Sequence, residues 1–97
     1  MFVRVGRAYV NMSSVESIYV FPRKRVNGDC KYRIVVRSKS GAEYEHNTEV
    51  DEAVAHAVVK YLIQNNGRKT NELIDLDKVI NAIEHQFKLS ILFSSSK

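Results

Sequence analysis

Cysteine is almost missing from this chain: Cys30 stands alone, so no internal disulfide can form. The start after Met1 (Phe-Val-Arg-Val-Gly-Arg) lacks the apolar run of an export signal. Both features point to a reducing, cytoplasmic setting. No stretch approaches the roughly 20 apolar residues of a membrane span, so no membrane partner is expected. Glycine is scarce: there are four, all in turn-like contexts, and no glycine-rich phosphate loop follows a strand. His46, His56 and His85 lack the one-turn spacing of paired metal ligands, and no cysteine pair exists to help them. Cys30 has no histidine beside it in sequence to act as its base. The familiar metal, cofactor and nucleophile signatures are thus excluded, and a non-enzymatic protein without a cofactor is expected.

Acidic residues are also missing, but only from one part of the chain. Met1 to Gly41 holds nine Lys/Arg against two Asp/Glu, a balance of +7. Ala42 to Lys97 holds six against nine, a balance of −3. The basic part carries strand patterns and the acidic part carries helix patterns, so the positive charge is expected on a sheet. A basic sheet suits an anionic partner, and phosphate is the commonest one.

At 97 residues, a single domain over 1–93 with a frayed tail at 94–97 is expected. Phe2–Val5 and Ala8–Val10 are β-prone and separated by Gly6-Arg7, the signal of a two-residue hairpin. Asn11 to Ser14 reads as a polar turn. Val15–Phe21 is rich in β-branched and aromatic residues and meets Pro22, which places it at an edge, at a bulge or at its end. Lys31–Ser38 alternates, with Tyr32, Ile34 and Val36 on one face. A three-residue loop, Lys39-Ser40-Gly41, leads to a fifth strand, Ala42–His46. That loop length sets Val36 against Tyr44 and Arg37 against Glu43.

Thr48 with Asp51 resembles a capping box, and helical spacing predicts a first helix over about 49–65 with a stripe of Ala53, Val54, Ala57, Val58, Tyr61 and Leu62. Glu72–Ile74 reads as a short strand or an extended lead-in. Asp75 is placed to cap a second helix over about 76–89, carrying Leu76, Val79, Ile80, Ile83 and Phe87 on one face. The predicted class is α+β: a curled antiparallel sheet of about five strands over residues 2–46, followed by two helices. Its inner face is expected to hold Tyr19, Phe21, Tyr32, Ile34, Val36 and Tyr44. The second helix and the apolar end of the chain exceed what one small sheet covers. A homodimer is therefore expected, with Ile80, Ile83, Phe87, Ile91 and Phe93 at its interface.

Asn27-Gly28 is the strongest short hairpin signal in the chain and predicts a two-residue loop. In that register Lys24 faces Lys31, and Lys24, Lys31, Arg33 and Arg37 share a face, with Arg23 and Arg25 near the tip. These six residues form the candidate nucleic-acid site, because a basic β-ribbon can follow phosphates. A solvated basic face neutralised by Glu43 and Glu45 explains the same residues, as does an acidic protein surface as partner.

The run from Tyr9 to Tyr19 (Tyr-Val-Asn-Met-Ser-Ser-Val-Glu-Ser-Ile-Tyr) resembles the first strands of the LytTR type of β-rich DNA-binding domain. The likeness ends there: the helical second half does not follow that family's pattern, and no residue roles carry over. Two functions stand side by side. One is a small regulator that binds the nucleic-acid backbone through the basic hairpin. The other is a protein-interaction module, such as an adaptor or an inhibitor of a larger protein, with no nucleic-acid binding.

Overall fold

Alternating apolar and polar residues in the first half of the chain form strands, and the 3.6-residue patterns of the second half form helices. The computed structural model describes residues 1–24, 28, 30–65 and 73–95. Its elements in chain order are β1 (Phe2–Val5), β2 (Ala8–Asn11), β3 (Val15–Lys24), β4 (Cys30–Ser38), β5 (Glu43–Glu45), α1 (Glu52–Asn65), β6 (Leu73–Asp75) and α2 (Leu76–Ser95). The class is α+β, as expected. The strands form two open sheets of three, ordered β2-β1-β6 and β3-β4-β5, where one curled sheet was predicted. No helix among the described residues is long and apolar enough to cross a membrane.

The first sheet begins with the expected hairpin, in which Val5 pairs with Ala8 around Gly6-Arg7. A single 3-10 turn (Met12–Ser14) then carries the chain from one sheet to the other. Asn11 caps this turn by accepting the Ser13 N–H at 3.1 Å. The Met12 N–H donates to the Met1 carbonyl, and the Lys39 N–H donates to the Ser14 carbonyl, so the turn is tied to both sheets. β6 returns from far along the chain and runs parallel to β1, pairing Leu73 with Phe2.

The β4–β5 connection follows its sequence signal. The Ser38 N–H donates to the Ala42 carbonyl, Val36 pairs with Tyr44 and Arg37 with Glu43. Gly41 supplies the positive φ, 92°, that this three-residue loop requires.

The β3–β4 hairpin does not follow its signal. Lys24 pairs with Cys30, not with Lys31, so the described strands stand one residue out of the predicted register. Of the predicted two-residue loop, Asn27 lies outside the described residues. The slip pairs Ile18 with Val36 and Val20 with Ile34, apolar against apolar on the core side. The predicted register would have set Ile18 against Arg37. Because side chains alternate, one residue of slip exchanges the faces of a strand. Tyr19 and Phe21, expected inside, therefore face outward, and Ile18 and Val20 pack on the core in their place.

α1 starts at Glu52, later than predicted. Tyr32 and Val50 exchange both backbone hydrogen bonds, which holds residue 50 extended. The first helical bond therefore runs from the Ala55 N–H to the Asp51 carbonyl, and Asp51 takes the cap position expected of Thr48. Asp75 does cap α2: its Oδ1 accepts the Asp77 N–H at 3.0 Å. No glycine or proline follows Asp75, and α2 continues through Ser95, beyond the predicted end near residue 89 and into the expected tail.

α1 covers β3 and β4, α2 covers β1 and β6, and the helices pack on each other. One apolar cluster joins these layers, with Val3, Ile34, Val58, Leu62, Leu76 and Ile80 at its centre. Ile80, predicted at a dimer surface, is only 1% exposed and belongs to this core. Ile80→Ala is expected to lower unfolding stability by about 2–5 kcal/mol in urea titrations, the cost of a cavity in a packed core. A loss under about 1 kcal/mol would show that the side chain is not packed there.

Candidate interaction surfaces

The β3–β4 register puts Arg23, Lys31, Arg33 and Arg37 on one outward face, with Arg23 directly opposite Lys31. Like charges across a strand pair repel, so this face needs anions. The chain supplies them itself. Arg23 Nη2 lies 2.9 Å from Glu45 Oε1. Arg33 reaches Glu45 at 3.4 Å and Glu49 at 3.3 Å. Lys31 Nζ is 2.6 Å from Asp51 Oδ1, and Arg37 Nε is 3.9 Å from Glu16. Of the two remaining residues of the predicted site, Arg25 lies outside the described residues, and Lys24 is described only as the backbone partner of Cys30.

Glu45 is central to this face. Its hydrogen bond with the Arg23 guanidinium, reinforced by Arg33, holds its carboxyl below the ordinary 4.5. Beside it, the Tyr19 hydroxyl donates to Glu43 at 2.9 Å, a bond that raises the Tyr19 pKa above the ordinary 10. The Arg23 guanidinium also lies over the Phe21 ring, 5.3 Å from its centroid. Under this cover Val35 is 4% exposed, although it points away from the main core. The face is a charge-matched lid over one buried valine. A phosphate binding Arg23 or Arg33 would have to compete with Glu45 and Glu49.

The one buried histidine is fully engaged. His46 Nδ1 accepts the Thr48 N–H at 3.1 Å, so Nε2 carries the proton and donates to Asp77 Oδ1 at 2.6 Å. This bond ties the end of β5 to the first turn of α2. Among the described residues no group of three His, Cys, Asp or Glu side chains could hold a metal ion.

Two other surfaces expose apolar side chains. On the outer face of the first sheet, Phe2 (48% exposed) and Leu73 (50%) are register neighbours, with Tyr9 one step along β2. Arg4 sits between Tyr9 and Asp75 and pairs with Asp75 at 3.4 Å. The second surface is the groove between α1 and α2. Cavities of about 300 and 330 Å³ adjoin there and share Tyr61, Ile83 and Gln86 as walls. Val79 and Ala82 complete the floor of one, Ala57 and Phe87 that of the other, and Lys78 and Lys60 stand at the sides.

Periodicity put Tyr61 on the apolar stripe of the first helix and Val79, Ile83 and Phe87 on that of the second. In the fold these stripes are wider than the contacts they make, and their margins become the groove: Tyr61 remains 41% exposed. Ile83 and Phe87, expected at a dimer interface, line it half-buried, while the side chains of Ile91 and Phe93 lie outside the description. Compared with known proteins, the chain matches no family model, no curated protein and no solved structure.

The low pKa of Glu45 sets a pH dependence. A folded-state value below the unfolded one means that Glu45 adds stability above the ordinary carboxylate range and loses it as the pH falls through 4.5 and below. Glu45→Gln is expected to destabilise the protein at pH 7 by at most about 1 kcal/mol, since the partners are partly solvated. In urea titrations the gap between variant and wild type should close as the pH falls further below 4.5. A gap independent of pH would show that the carboxylate charge is not what holds this face.

Proposed function

We propose that this protein is a non-enzymatic interaction module of the cytoplasm that works by docking another protein in the groove between α1 and α2. One contrast carries the reading. Each described cation on the β3–β4 face already has a carboxylate of the same chain, whereas no other described residue covers the apolar floor of the groove. Charges matched within the chain add little attraction for an outside phosphate, because binding must first break bonds worth about as much as those it makes. An apolar groove beside lysines that pair with no described carboxylate gains contact area only when something fills it.

Nucleic-acid binding through Arg23, Lys31, Arg33 and Arg37 is the competing function, and electrophoretic mobility separates the two. Wild-type protein is expected to leave duplex DNA, single-stranded DNA and RNA unshifted at physiological salt. Glu45→Gln/Glu49→Gln, which frees Arg23 and Arg33, is expected to retard nucleic acid only at low salt. A wild-type shift that weakens steeply with salt and disappears in Lys31→Ala/Arg33→Ala/Arg37→Ala would overturn the interaction-module reading.

A further inference from the structure

We propose that the groove takes an amphipathic helix of the partner protein, its apolar stripe between Tyr61 and Ile83 and its Asp and Glu side chains against Lys60 and Lys78. The inference rests on the interaction-module reading and specifies the partner.

Three observations select this occupant. The walls belong to two helices whose backbone groups bond within themselves, so the groove offers side chains and almost no free backbone donors or acceptors. A strand laid there would leave its own N–H and C=O groups unpaired over an apolar floor; a helix satisfies them internally. The lining of α2 runs from Lys78 to Phe87, a rise of about 14 Å, enough for two to three turns of a second helix. Finally, no carboxylate lines either cavity, and neither Lys60 nor Lys78 makes an ion pair among the described residues. On the β3–β4 face the chain matches its own cations; here the match is left to the partner.

Two other occupants fit less well. A second copy docking by two-fold symmetry sets the same patch against itself, and that patch offers Lys60 and Lys78 no carboxylate. The end of α2 cannot fold back into the groove, because the helix is continuous through Ser95.

The test uses two pools of phage-displayed helices with the same Leu/Phe stripe, one flanked by Asp and Glu and the other by Lys and Arg. Both are selected on the wild-type protein and on Lys60→Glu/Lys78→Glu, which changes two exposed side chains and should leave urea unfolding nearly unchanged. The acidic pool is expected to enrich on wild type, its clones to lose affinity on the order of tenfold or more on the reversed protein, and the basic pool to enrich there instead. Enrichment regardless of flanking sign, clones that bind both proteins equally, or no enrichment at all would overturn the proposal. So would sedimentation showing a wild-type dimer that Tyr61→Glu separates, since a second copy then fills the groove. These failures leave the gel-shift result untouched: without a nucleic-acid shift, an interaction module survives but the groove as its docking site does not, whereas a wild-type shift removes both.

Discussion

Pairing Ile18 with Val36 and Val20 with Ile34 puts four β-branched side chains on the side of the hairpin that α1 covers. The other surfaces of the second sheet depend on that register. Turning these residues inward turns Tyr19, Phe21, Arg23, Lys31, Arg33 and Arg37 outward together. The outward face gathers four cations, and Glu16, Glu45, Glu49 and Asp51 are set among them as counter-charges. A tight Asn-Gly turn is worth little against the burial of such side chains, each contributing on the order of 1.5–3 kcal/mol. The hairpin therefore takes the register that the core requires.

The Tyr32–Val50 bridge performs three tasks at once. It sends both backbone groups of Tyr32 away from β3, so Pro22, the partner of Tyr32, has its nitrogen on the open edge of the sheet. A missing N–H costs no ladder bond there and removes a donor that another strand could use. The bridge also holds residue 50 extended and delays α1 to Glu52. Lastly, it sets Glu49 and Asp51 on either side of Val50, on the outer face, where they reach Arg33 and Lys31. Charge matching on the sheet and the entry to the first helix are thus two results of one backbone contact.

Much of the fold was legible because it rests on neighbours in the chain. Gly6-Arg7 closes its hairpin, Gly41 closes a three-residue loop with Arg37 opposite Glu43, and Asp75 caps α2. The candidate site was half legible. The sequence marked Arg23, Lys31, Arg33 and Arg37 and named Glu45 as a residue able to neutralise them, but Glu49, Asp51 and Glu16 went unmarked, since their approach depends on the bridge and on a bulge at the start of β3. Ile80 and Ile83 fall on one helical stripe, yet one is in the core and the other lines the groove, because a stripe does not say how far the neighbouring helix reaches over it.

The amino-acid sequence by itself determined the α+β class, the two helices, the Asp75 cap and the turns at Gly6-Arg7 and Gly41, since each follows from spacing or from a side chain bonding to backbone within a few residues. Only the tertiary structure decided the division into two sheets, the parallel return of β6 to β1, the register of β3 on β4 and the open groove between the helices. These come from burying apolar surface between segments far apart in the chain, where the gain depends on which partner arrives and not on any local pattern.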